Sequence, residues 1–281
     1  FFEYAKKAGA VVFARCEPSQ KGECVRTFKE LDKKAIVLAI GDGANDVDMI
    51  RSADVGVGVE GKEGSEAVLS SDFSIPSFHF IAPLLIVHGH WCVNRTTLLI
   101  LMTFYKNTMI CLMQMLFGIF NGFSATSAYD SGFLSIYNLL LTVPQLFFLC
   151  VFEEDVDAKY VLAIPQTYRE YAANGTIGFR PMFWMYIHAL IHSSVIFFFS
   201  FFESNTVLLD ITGKTFDLPI FSQITAWAVL IVFTCELLMK FKVMTLIHIG
   251  LYICCILVYV VCSFFYSYTD KMFYNILGIA F

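Results

Sequence analysis

Five apolar runs, each about as long as a bilayer is thick, constrain this chain more than any other feature. They cover roughly residues 96–120, 132–152, 182–203, 219–239 and 243–264. A membrane-crossing helix needs about 20 consecutive apolar residues, and each run meets that length. A sixth run, 272–281, has ten residues and ends at Phe281, so it reads as a truncated span. Charge is distributed accordingly: residues 1–72 carry 23 of the 43 charged side chains, and the other 209 residues carry 20. The expectation is two domains: a water-soluble part with its connector over 1–90, and an all-α polytopic membrane bundle over 91–281.

The net charge is −5 with no block of like charges, so nothing points to nucleic acid as a partner. Nine cysteines make an odd number without CxxC spacing. They read as small hydrophobes rather than as a disulfide or metal framework. The opening stretch FFEYAKKAGAVVFARCEP has no long apolar segment and no start Met, so a fragment of a longer chain is expected.

The first 75 residues alternate strand-like and helix-like segments. Residues 10–14 (AVVFA) read as a buried strand, and Ser19 as the cap of a helix from about Gln20 to Leu31. Residues 35–40 (AIVLAI) and 54–59 (DVGVGV) read as further strands, with helices over 45–52 and 65–70. Such alternation predicts a parallel α/β sheet, whose ligands bind beyond the carboxyl ends of its strands.

That rule singles out GDGAND at 41–46, which directly follows AIVLAI. Its glycines permit a tight turn and close approach of backbone to an anion. Asp42 and Asp46 can converge on one hard cation such as Mg²⁺, and Asn45 can donate to a phosphate oxygen. A bare GDG is more often an ordinary turn; the longer string GDGANDVDM after a buried strand favours the site. Lys21 stands in the first turn of a helix, against the helix dipole, where an anion between them would make it tolerable. Arg15 could reach the same pocket.

The first apolar run contains one ion, Lys106. It lies about ten residues into the span, roughly 15 Å of helical rise. A mid-membrane lysine costs about 2.5–3.5 kcal/mol on insertion scales and is a functional candidate by default. The plainer reading is a structural lysine paired with carbonyls or with Asn107. In the second run, Asn138 and Thr142 lie four apart on one face, and Pro144 leaves a carbonyl one turn earlier without its donor. Glu236 and Lys240 make an i,i+4 pair at the end of the fourth run. The acids of FEEDVDAKY (152–160) read as a solvated loop. Residues 73–94 are uncharged, but Pro76, Pro83 and three histidines argue against a span there. The His88 and His90 spacing is too weak for a metal site. With the soluble part cytosolic, Arg95, Lys159, Arg169, Arg180, Lys240 and Lys242 lie inside, and Lys214 and Lys271 outside. The sequons at Asn94 and Asn174 are then cytosolic and carry no glycan.

FARCEPSQK (13–21), followed by AIGDGANDV (39–47), resembles the end of the phosphorylation domain of P-type ATPases. The continuation Asn45-Asp46-Val47-Asp48-Met49-Ile50 resembles the phospholipid-flippase branch, as do LLIVHGHWCVNR (84–95) and Phe104-Tyr105-Lys106-Asn107. His90 stands where the family usually has Arg. Only Val143 separates Thr142 from Pro144, where the family has two residues. The resemblance implies a HAD-like, Rossmann-like phosphorylation-domain fragment ahead of the membrane bundle. It implies Mg²⁺ at Asp42 and Asp46, phosphoryl contacts from Lys21 and Asn45, and Arg15 near bound ATP. It also implies a phospholipid path at Lys106, Asn107, Asn138 and Thr142, six spans, and a possible accessory glycoprotein subunit. The implied activity is ATP-driven movement of a phospholipid to the cytosolic leaflet. No D-K-T-G occurs here, so a chain lacking the acceptor Asp, and inactive alone, is expected. The alternatives are an ion-transporting P-type ATPase, or a non-catalytic scaffold with a relic HAD-like domain.

Overall fold

The computed structural model describes residues 2–5, 7–61, 64–129, 131–164, 178–206, 218–242 and 244–269. The chain divides into two compact units, residues 1–85 and 86–281.

In the first unit a helical turn α1 (Phe2–Ala5) precedes helix α2 (Pro18–Leu31). Strand β1 (Leu38–Gly41) leads through a 3₁₀ turn (Ala44–Asp46) into α3 (Val47–Ser52). Strand β2 (Val55–Val59), helix α4 (Glu66–Ser70) and strand β3 (Phe73–Ile75) follow. The strands form a parallel sheet in the order β1-β2-β3. Leu38 pairs with Val55, and Val57 with Phe73. Among the described residues, Ala39, Val57 and Ile75 of the sheet, Ile50 of α3 and Ala67 of α4 are the unit's buried apolar residues.

Two details correct the sequence reading. Residues 10–14 form no strand, and Val12 is 91% exposed. An apolar run becomes a strand only where a ladder partner takes its N–H and C=O groups, and none of the described strands pairs with it. The cap of α2 is Glu17 rather than Ser19. Its backbone N–H donates to Gln20 Oε1 at 3.0 Å, and Pro18 takes the first helical position, where its missing N–H costs nothing. The short strand β3 was not expected from sequence.

The second unit is helical. A π-helical turn (Pro83–His88) runs into α5 (Gly89–Phe120). Then come α6 (Ser131–Ile136), a second π-helical turn (Tyr137–Thr142), α7 (Val143–Phe152) and α8 (Ala158–Ala163). Helices α9 (Phe179–Thr206), α10 (Leu218–Lys240) and α11 (Leu246–Thr269) complete it. Among the described residues, five helical segments are long and apolar enough to cross a membrane: Phe78–Phe120, Gly132–Phe152, Phe179–Ser204, Ile220–Lys240 and Leu246–Phe264. With 32 residues, α5 is roughly 48 Å long, well beyond a hydrocarbon core of about 30 Å. The connector from residue 78 is therefore helical and continuous with the first span, and Pro83, which cannot donate to the ladder, falls where the helix passes into its π-helical turn. The sixth run at 272–281 lies outside the described residues, as do Asn174, Arg169, Lys214 and Lys271.

The bundle core is aromatic and sulfur-rich. Tyr105, Met109 and Met113 of α5 pack with Tyr137, Leu149, Phe197, Leu230 and Phe233. Large apolar side chains also line the outside, among them Phe199, Phe202, Val261 and Leu257. A surface of that kind suits lipid rather than water.

Candidate functional site

In the first unit, α2 docks on α3 and the turns beside it through a row of ion pairs. Lys21 Nζ lies 2.7 Å from Asp46 Oδ1. Arg26 reaches both oxygens of Asp48 at 3.0 and 3.1 Å, and Lys29 reaches Asp54 at 2.7 Å. The backbone explains the close approach: a Cβ on Gly22, in mid-helix, would fall 1.9 Å from Asp48 Oδ2. Likewise a Cβ on Gly41, at the end of β1, would fall 2.3 Å from Asp46 Cβ. Arg26 holds the Asp48 carboxyl below its usual range, and Lys29 with the Val37 N–H does the same for Asp54.

A cavity of 870 Å³ opens beside this row, lined by Arg15, Lys21 and Asp46 together with Phe13, Cys24 and Met49. Arg15 adopts φ 60°, a left-handed conformation uncommon for a residue with a side chain. Thus the fold brings together Arg15, Lys21 and Asp46 of the sequence-predicted set. Asp42 joins through its backbone, whose N–H points to Asp46 Oδ2 at 3.4 Å, while its side chain faces solvent. Asn45 is exposed. Asp42 and Asp46 thus stand at one strand end, but the Asp46 carboxylate is taken by Lys21 and that of Asp42 faces solvent.

The second unit holds its own lysine. Lys106 is 4% exposed. Its Nζ donates to Thr142 Oγ1 at 2.7 Å and to Asn138 Oδ1 at 3.3 Å, with the Tyr137 ring centroid 6.0 Å away. The π-turn builds this arrangement. Thr142 Oγ1 donates back to the carbonyl of Tyr137, five residues earlier, at 2.9 Å, and still accepts from Lys106. Pro144, one residue beyond Val143, lacks the N–H that would close the ladder there. The partners named by the plainer sequence reading, backbone carbonyls or Asn107, are not the ones found: Lys106 donates to side-chain oxygens of Thr142 and Asn138, and Asn107 is exposed.

A profile of the C-terminal region of phospholipid-translocating P-type ATPases matches residues 68–281. The chain belongs to the phospholipid-translocating P-type ATPase family. It is 40% identical over 219 residues to probable phospholipid-transporting ATPase 4 of Arabidopsis thaliana, covering 78% of this chain and 18% of that one. It is 34% identical over 252 residues to phospholipid-transporting ATPase IK of Mus musculus, covering 89% and 18%. Phospholipid-transporting ATPase VA of Homo sapiens is 37% identical over 247 residues, covering 84% and 16%. The chain thus spans less than a fifth of the length of these relatives. The flippase profile contains the Lys106 cluster and begins after Lys21, Asp42 and Asp46.

Sequence reasoning missed two polar groupings in this flippase-family bundle. One lies at the base of α5, where Trp91 Nε1 donates to the Val156 carbonyl at 2.9 Å and Arg95 Nε to that of Glu153 at 2.5 Å. Asp155 faces His90 at 3.4 Å and also pairs with Lys242. The acids after the second span are therefore not all solvated. Glu153 is 1% exposed, burial pushes its carboxyl up, and Oε1 accepts the Lys242 N–H at 3.2 Å. The other grouping joins Tyr105 to His192, with the hydroxyl 2.6 Å from Nδ1. The Glu236–Lys240 pair forms as the i,i+4 spacing predicts, at 3.2 Å.

Proposed function

We propose that the protein carrying this chain is a flippase. ATP would phosphorylate an aspartate, and hydrolysis of that acyl phosphate would drive a phospholipid from the outer to the cytosolic leaflet. In this reading residues 1–90 are the end of a HAD-like phosphorylation domain, with its connector, in the cytosol. Residues 91–281 are the following spans. The aspartate that accepts the phosphoryl group belongs to the remainder of the protein, so the chain alone turns over no ATP.

The residues divide the work. Lys21 holds positive charge toward the transferring phosphoryl group, and Asn45 donates to its oxygens. Asp42 and Asp46 hold Mg²⁺, and Arg15 meets the nucleotide. When bound, Mg²⁺ supplies charge neutralisation on the phosphoryl oxygens. In the bundle, Lys106, Asn107, Asn138 and Thr142 form the lipid path, with Lys106 as the cation for a phosphate-bearing headgroup. One observation carries the reading: in a chain of this family, a lysine buried in the bundle is held by neutral oxygens alone among the described residues. Its charge is solvated but not cancelled, which is what an anionic ligand requires.

The test uses the complete protein, with its accessory glycoprotein if one co-purifies, in vesicles of phosphatidylcholine doped in turn with phosphatidylserine or phosphatidylethanolamine. ATP hydrolysis stimulated by one of these lipids, with labelled lipid moved to the ATP-facing side, is expected. Asp42→Asn should abolish both. Hydrolysis that responds to a cation and not to any lipid would overturn the reading in favour of an ion pump. The cytosolic side is checked separately: a glycan at Asn174 would invert the topology.

A further inference from the structure

Successive residues of an α-helix leave its axis about 100° apart, so Tyr105 and Lys106 project from different faces of α5. Lys106 turns to the π-turn before α7. Tyr105 is 1% exposed and turns to α9. Its hydroxyl lies 2.6 Å from His192 Nδ1, and the two rings meet edge-on with centroids 6.0 Å apart. A hydroxyl at this depth is costly to leave without a partner, and this one has His192 whereas the buried Tyr137 hydroxyl has none among the described residues.

We propose that His192 is a positioning residue for Lys106. Through Tyr105 it fixes the rotational setting of α5, and so the distance from the lysine nitrogen to Asn138 and Thr142. The geometry is restrictive. Side-chain tips stand about 5–6 Å from a helix axis, so turning α5 by about 20° moves them about 2 Å. That displacement breaks a hydrogen bond. Lys106 therefore cannot swing by helix rotation without surrendering the contact to His192. The support extends past α5. On α9 the His188 ring lies one turn from His192, with centroids 6.1 Å apart. His188 Nδ1 lies 3.9 Å from Glu236 Oε1 on α10, which pairs with Lys240. Polar contacts thus reference α9 to α10, and α5 to α9.

The activity readout rests on the flippase reading, whereas the positioning claim has a readout of its own. In the complete protein, Tyr105→Phe, His192→Phe and the double variant are compared with His192→Gln, whose side-chain carbonyl can accept from the tyrosine. The first readout is acylation of Lys106 by a membrane-permeant amine reagent, followed by mass spectrometry. Losing one hydrogen bond should raise the acylation rate about 3–10-fold in either Phe variant, with no further rise in the double. His192→Gln should return it toward wild type. The second readout is lipid-stimulated ATP hydrolysis. Each Phe variant should raise the lipid concentration for half-maximal stimulation by about the same factor and leave the maximal rate within about twofold. Unchanged Lys106 acylation, or effects that multiply in the double variant, would overturn the proposal; so would a lower melting temperature with neither readout moved, since that is interhelical glue. A wild type without lipid-stimulated hydrolysis would remove the flippase reading and leave the acylation test standing.

Discussion

Two lysines sit at the centre of the two units, and their surroundings differ in kind. Lys21 faces a carboxylate, Asp46, at 2.7 Å, at the mouth of a cavity. Lys106 faces a hydroxyl and an amide oxygen. The first charge is balanced until a ligand displaces its partner; the second is hydrogen-bonded but uncompensated. Near water a cation can be paired and re-paired at little cost, because solvent stabilises each intermediate arrangement. Inside a bilayer the same cation is expensive, and neutral oxygens lower that cost without cancelling the charge. On the function proposed above, the first site exchanges partners around a phosphoryl group and the bundle site attracts a phosphate-bearing headgroup.

Replacing each lysine by glutamine separates these roles, and the largest effect is expected at Lys21. Lys21→Gln leaves Asp46 without its counter-charge and removes a donor aimed at the phosphoryl group. Loss of one such electrostatic contact typically lowers turnover about 100–1000-fold, so ATP hydrolysis by the complete protein should fall on that scale. Turnover within tenfold of wild type would break the assignment of Lys21.

Lys106→Gln should do less to turnover and more to lipid dependence. The lipid concentration for half-maximal stimulation should rise at least about tenfold, as expected for losing one charge-assisted contact. Stability should move in opposite directions at the two sites. Lys21→Gln lowers the melting temperature, because it strands a carboxylate. Lys106→Gln holds or raises it, because it removes a buried charge. A fall of the same size at both would erase the contrast drawn between them.

A smaller effect follows at the supporting oxygens. Thr142→Val keeps the shape and removes the 2.7 Å contact. It should weaken lipid half-saturation about 3–10-fold, less than the full worth of a hydrogen bond to a charge, because Asn138 Oδ1 still accepts from the lysine. Asn138→Ala should weaken it less, since that contact is 3.3 Å long and Asn138 is exposed. Equal losses would mean that the two oxygens share the lysine evenly.

What was legible depended on how far apart in sequence the partners lie. Asp42 to Asp46, Asn138 to Thr142 and Glu236 to Lys240 are all four residues apart, within one helical turn or one loop. The last two pairs meet as their spacing implies, whereas Asp42 touches Asp46 only through its backbone N–H. The spans were legible because length and hydropathy are local properties. Residues 10–14 failed for the opposite reason: an apolar run does not state whether an edge waits for it. Glu153 read as a solvated acid because its neighbours are acids, while its actual partner, the Lys242 N–H, is 89 residues away. Tyr105 and His192, 87 residues apart, gave no signal beyond two polar groups in apolar runs. Asn107 shows the limit within one motif: it is adjacent to Lys106 in sequence, yet it is exposed while Lys106 is buried.

The smallest predicted effect tests whether the soluble unit is held together by charges that can be exchanged. Arg26 and Lys29 depress the Asp48 and Asp54 carboxyls in the folded state. A carboxyl depressed on folding stabilises above its unfolded pKa, about 3.9, and that contribution disappears as pH falls through the lower folded value. Docking of α2 should therefore be constant from neutral pH to about 5 and loosen below about 4. Cys24 reports on it, since it lies on α2 in the cavity lining and burial raises its thiol. A pyridyl disulfide reacts with thiols at acid pH, so its labelling of Cys24 should be slow and flat above pH 5, then quicken modestly below 4. Arg26→Gln should bring part of that rate to neutral pH. The effect is small because both pairs are exposed and solvent replaces them readily. Among the described residues no carboxylate pairs with Lys106, so lysine acylation compared at fixed amine ionisation should show no such step.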